Sequence, residues 1–161
     1  MEKPMIVPSE LIFQAEIQAS IGDVWQAWTT REGILSFFAP DCFVELKSGG
    51  AYEMYFNLDS DQGDKGGEGC RLLAIEEPHM ISFTWNAPPE FPNVRRQNTH
   101  VTVRLEQINE KTLMTLTHDG WGIGEEWQAV RAYFDRAWGQ VVLPRLQKRF
   151  MDGPIHWDEL E

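Results

Sequence analysis

The sequence predicts an α+β fold in which a curved antiparallel sheet of six or seven strands wraps around one long C-terminal helix, with two short helices after the first strand. Three observations predict it. Short segments of alternating hydrophobicity, separated by turn signals, fill residues 42–119. None of them is followed by a helix of crossover length, which excludes parallel βαβ units. The closing segment, 124–150, carries its apolar residues at helical spacing instead.

The elements follow in order. Residues 11–19 read as a strand, with Phe13, Ala15, Ile17 and Ala19 on one face. Ser20 offers an N-cap with Asp23 three residues on, and Ile21, Val24, Trp25 and Trp28 then recur as in a helix. A second short helix, 31–38, carries Ile34, Leu35, Phe37 and Phe38 and stops at Pro40. Strands are expected at 42–47, 51–57, 68–77, 80–86, 98–108 and 112–119. The polar, glycine-rich stretch 57–67 reads as a mobile hairpin loop, and 87–97, with three prolines, as a second loop. On the last helix Trp127, Val130, Phe134, Ala137, Trp138 and Val141 form the stripe, and Pro144 is expected to bend it.

Composition bounds the function. The chain has 161 residues, enough for one domain whose core needs no disulfide or metal. Its net charge of −11 argues against nucleic acid and anionic membranes as partners. The charge is uneven: residues 124–150 hold Arg131, Arg136, Arg145, Lys148 and Arg149 against three acidic residues. That strip reads as a solvated helix face, or as the receiving surface for an acidic partner. Cys42 and Cys70 lie far apart with no metal-binding spacing, so two reduced, buried thiols are expected. The N-terminus shows no leader pattern and no run is long enough to span a membrane, so a cytoplasmic protein is expected.

A helix of this length extends roughly 40 Å, whereas a seven-residue strand spans about 23 Å. The helix must cross the sheet, and a curling sheet leaves space beneath it. Alternation and helical spacing direct Phe37, Tyr52, Met54, Phe56, Phe83, Trp85, Met114, Leu116, His118, Trp127, Val130, Phe134 and Trp138 toward that space. They either line a ligand cavity or fill it. His118 is the one polar member, and reads either as a ligand or acid–base group or as a satisfied core histidine.

No catalytic constellation accompanies it. Gly120-Trp121-Gly122-Ile123-Gly124 lacks both phosphate-loop spacings and reads as a hinge at the cavity mouth. Asp59 to Asp64 echoes a calcium loop without its glycine or its final glutamate. Neither a metal nor another cofactor is expected.

The element order resembles the START-like (SRPBCC, helix-grip) superfamily. Several words narrow the likeness: Gly49-Gly50-Ala51-Tyr52, Glu76-Glu77-Pro78 before Ile81-Ser82-Phe83-Thr84-Trp85, His118-Asp119-Gly120-Trp121, Ala137-Trp138, and the opening run from Ala19 to Trp28. Over about residues 11–150 the chain resembles the activator-of-heat-shock-protein-90-ATPase homologue family. That resemblance implies a small domain with a hydrophobic cavity. The first expected function is binding of an apolar or aromatic small molecule. The second is a co-chaperone-like interaction module, with a chaperone or a second copy as partner. The third is a cyclase- or hydrolase-like enzyme of the same superfamily.

Overall fold

The computed structural model describes residues 10–160; the stretch Met1–Met5, on which the expectation of no leader was read, lies outside the described residues. Among the described residues seven strands form, in two groups. β1 (Leu11–Ile17), β4 (Leu72–Glu76), β5 (Met80–Trp85), β6 (Thr99–Ile108) and β7 (Lys111–Asp119) make an antiparallel sheet of order β1-β7-β6-β5-β4. β2 (Asp41–Val44) and β3 (Tyr52–Tyr55) pair with each other. Two isolated bridges, Ala51 to Arg71 and Tyr55 to Gly66, link this pair to the segment leading into β4. The expected sheet of six or seven strands is therefore five strands plus a hairpin. The break falls at the glycine-rich loop, where Tyr55 bridges Gly66 rather than joining a continuous strand.

Two caps set the first helices. Ser20 Oγ accepts from the Asp23 N–H at 3.2 Å, starting α1 (Ile21–Thr29). Thr30 closes α1 and opens α2 (Arg31–Leu35), accepting from the Gly33 N–H at 3.0 Å. Gly33 is required there by space, since a Cβ would stand 2.1 Å from the Gln26 carbonyl oxygen. The Tyr52 hydroxyl donates to the Trp28 carbonyl at 2.7 Å, tying β3 beneath α1.

The final helix runs without a break as α3 (Glu125–Arg136), a π-helical segment (Ala137–Val142) and α4 (Leu143–Asp152). Pro144 was expected to bend the rod. A wider turn accommodates the proline: the Leu143 N–H bonds to Trp138 five residues back, and Pro144 enters the first turn of α4, where its missing N–H costs least. The π turns also change which residues face inward. The buried ridge is Phe134, Trp138, Val142 and Leu146. Successive residues at this spacing of four would rotate by about 40° in an α-helix, and the π segment removes part of that drift. Val141, expected inside, is 40% exposed, and Val142 takes its place.

The loop 57–67 is bonded across its turn. Glu68 accepts from the backbone N–H groups of Gly63, Lys65 and Gly66 at 2.6, 3.0 and 2.7 Å. Burial alone would raise the Glu68 carboxyl, but these N–H groups outweigh it and hold it low. Arg95 donates to the Gly63 and Gly66 carbonyls at 2.6 and 2.9 Å and to the Ala87 carbonyl, pinning both loops to each other. The expected mobile hairpin is thus a built wall beside the helix.

Candidate functional site

Antiparallel pairing brings His118 of β7 opposite Val101 of β6. Thr99, two residues along, shares the inward face. His118 is fully buried, as is most of Thr99. An indole N–H can only donate, so the 3.0 Å contact from Trp138 Nε1 makes His118 Nδ1 an acceptor. The proton then sits on Nε2, which donates to Thr99 Oγ1 at 2.6 Å. The Thr99 hydroxyl in turn donates a hydrogen bond to the Trp85 carbonyl at 3.0 Å. The relay from Trp138 Nε1 through both His118 nitrogens and Thr99 Oγ1 to the Trp85 carbonyl is thus hydrogen-bonded at each step. Burial, with a smaller contribution from His100, pushes the imidazole down to about 3. His118 is a neutral structural link between sheet and helix, with neither nitrogen open to an acid–base role.

The aromatic residues predicted around it largely pack on one another. Phe37, Tyr52, Met54, Phe83, Met114, Leu116 and Val130 are completely buried, and Trp85, Trp127, Phe134 and Trp138 nearly so. Tyr52 lies 4.4 Å from Phe83, and Phe83 5.4 Å from Trp85, between ring centroids. Trp28 meets Phe37 edge-on at 5.1 Å, and Phe38 stacks between Phe37 and Trp85 at 5.4 and 5.7 Å. The central space under the helix is thereby filled with rings. Phe56 departs from the expected inward position: it is 44% exposed, at the end of β3 where strand pairing stops.

Around Phe56 the packing opens. A groove of about 340 Å³ runs between Phe38, Phe56 and Trp85 on one side and the helix residues from Tyr133 to Arg145 on the other. Its floor is Trp85, Phe134 and Trp138; Val141 and Ala137 extend it along the π segment. The arginines Arg136 and Arg145 and the amide of Gln140 stand on its lining. An adjoining depression of about 470 Å³ shares Phe56, Trp85, Tyr133 and Phe134 and is walled by the two pinned loops. A wider hollow, about 670 Å³, lies beyond Arg95, but polar loop residues and prolines line it and no aromatic ring does.

Thr99 and Tyr133 were not singled out in the sequence, and Phe38, Arg136, Val141 and Arg145 were named on their helices but not as lining residues. Thr99 was accessible: a two-residue turn after Ile108 pairs Ile108 with Lys111 and thus places Thr99 on the His118 face. Val141 and Arg145 were not, because their positions depend on the π segment. The glycine segment before α3 is packed at Gly122, where a Cβ would come within 2.1 Å of Trp127 Nε1. Among the described residues, no helix is long and apolar enough to cross a membrane.

A sheet gripping a long C-terminal helix over an aromatic floor defines the class: an SRPBCC, helix-grip domain. Within it, the chain belongs to the activator of Hsp90 ATPase homolog 1-like family, whose model matches residues 18–150. Solved structures of similar fold include the Aha1 dimer from Colwellia psychrerythraea, at 19% identity, TM-score 0.69, and coverage of 89% of this chain and 97% of that one. An HSP90 activator from Plasmodium falciparum matches at 19% identity and TM-score 0.66, covering 91% and 98%. CalU16 from Micromonospora echinospora matches at 21% identity and TM-score 0.65, covering 92% and 78%. No curated protein matches the sequence.

Proposed function

We propose that this domain binds an apolar or aromatic small molecule in the groove between β3, β5 and the C-terminal helix. The observation that carries the reading is the contrast between a closed aromatic core and the partly exposed pair Phe56 and Val141 beside Trp85, Phe134 and Trp138. A groove of about 340 Å³ falls in the range that small ligands use. Of the residues first directed at a cavity, Phe56, Trp85, Phe134 and Trp138 would touch the ligand, and the others would support them from below.

Native mass spectrometry of the purified protein, with tryptophan fluorescence against a panel of apolar aromatics, tests the reading. Quenching that saturates, and that weakens in Phe56→Ser, is expected. No bound species and no saturable change with any member would rule it out.

Contact with an Hsp90-type chaperone is the second reading, supported by the family match and by the likeness to an HSP90 activator. The basic face of α4, with Arg145, Lys148 and Arg149, would meet an acidic surface. Adding the protein to an Hsp90 ATPase assay should then raise the rate, and a rate unchanged at saturating protein would exclude this reading.

A further inference from the structure

We propose that the ligand of the groove is an organic anion, its planar apolar body on Trp85, Phe134 and Trp138 and its carboxylate toward Arg136 and Arg145. This rests on the small-molecule reading above and assigns its chemical class. The chain carries 25 acidic against 14 basic residues, so arginines have a surplus of available partners. Yet among the described residues the ion pairs involve Arg31, Arg95, His100 and Lys111, and neither Arg136 nor Arg145 has a carboxylate within 4.0 Å. Both line one groove, and no aspartate or glutamate lines it with them.

Their convergence depends on the helix. Nine residues separate them, which in an ideal α-helix sets two side chains about half a turn apart. The π segment between them removes part of that rotation, and Gln140 stands on the same lining between the two. Arg145 is half-buried and lies over the Trp157 ring, 5.3 Å from its centroid, so its planar fork is held before any ligand arrives. Trp157 is itself anchored through its Nε1 to the Leu35 carbonyl at 2.6 Å. Acidic side chains mark the other end, where Asp64 and Glu90 both line the adjoining depression, with Lys65 beside them. After burial, Glu90 is the next cause raising the Tyr133 phenol. An anion would turn away from Glu90 and toward the arginines, with the protonated Tyr133 hydroxyl between. An arginine fork on a carboxylate beside an aromatic surface is the pairing such geometry favours.

The test uses the full chain and two probes of one shape: naphthoate, an anion, and naphthamide, its neutral counterpart. Binding is read from tryptophan fluorescence and from NMR shifts of the Trp85 and Trp138 indole N–H groups. Naphthoate should bind about three- to tenfold more tightly at low ionic strength. The advantage should shrink at high salt and in Arg136→Gln, an exposed site whose replacement leaves the core untouched. Equal affinity for the two probes, or a preference unmoved by both salt and Arg136→Gln, overturns the anion assignment and leaves apolar binding standing. Binding of neither probe overturns both.

Discussion

Trp138 Nε1 donates a 3.0 Å hydrogen bond to His118 Nδ1, joining the centre of the gripping helix to the last strand of the sheet. Both partners are buried, so the bond fixes the imidazole tautomer and the helix position together. Trp138→Phe keeps one aromatic ring, loses the other half of the buried indole and leaves Nδ1 without a donor. A loss of about 1–3 kcal/mol in urea unfolding is expected. A variant as stable as the parent would show that the bond contributes nothing net.

Acid should act through His118. Its folded value is depressed to about 3, against an ordinary value of 6.5. The unfolded chain therefore takes up this proton first, and the stabilisation is complete above pH 6.5 and lost as pH falls toward 3. The slope contributed is about 1.4 kcal/mol per pH unit over that window. Urea titrations at pH 7 and pH 5 should show His118→Gln less stable than the parent at pH 7 but with a shallower decline. Parallel declines in the two proteins would contradict a neutral, buried His118.

Helix phase can be read from neighbouring valines. Val142→Ala removes buried apolar volume and should cost about 1–3 kcal/mol. Val141→Ser, on the groove side, should change stability by less than about 0.5 kcal/mol. A straight α-helix would reverse the order, so the two urea midpoints decide whether the π segment exists in solution.

Gly122 has no room for a side chain. Its Cβ position lies 2.1 Å from Trp127 Nε1, so Gly122→Ala should displace the indole or the loop at a cost of about 1–3 kcal/mol. Near-ultraviolet circular dichroism should change in its tryptophan bands. An unchanged spectrum and midpoint would mean the loop shifts freely.

Releasing the groove wall should expose it to proteases. Arg95→Ala removes the donor shared by Gly63, Gly66 and Ala87. Cleavage within 57–67 under native conditions should speed up severalfold while the core signal of thermal unfolding survives. Equal cleavage rates would show the wall held by other contacts.

Much of the architecture was legible in the residues. Alternation assigned the buried face of β7 correctly, with Met114, Leu116 and His118 all inside. Ser20 marked a helix start because its hydroxyl satisfies a free N–H group, a purely local effect. Period and capping act over a few residues, so a one-dimensional pattern records them. The tertiary structure decided the rest. Whether His118 was reactive or closed depended on Trp138, Thr99 and Trp85 arriving from three elements. Whether the aromatics left a cavity or filled it depended on how rings distant in sequence interlock, which periodicity does not encode. The π segment settled the helix's inner face: a continuous helix carrying Pro144 needs one wider turn, and that turn exchanges Val141 for Val142. The aromatic space that the pattern left open between cavity and core became a packed core with a groove at its edge, because side-chain volume, not side-chain direction, determines what space is left.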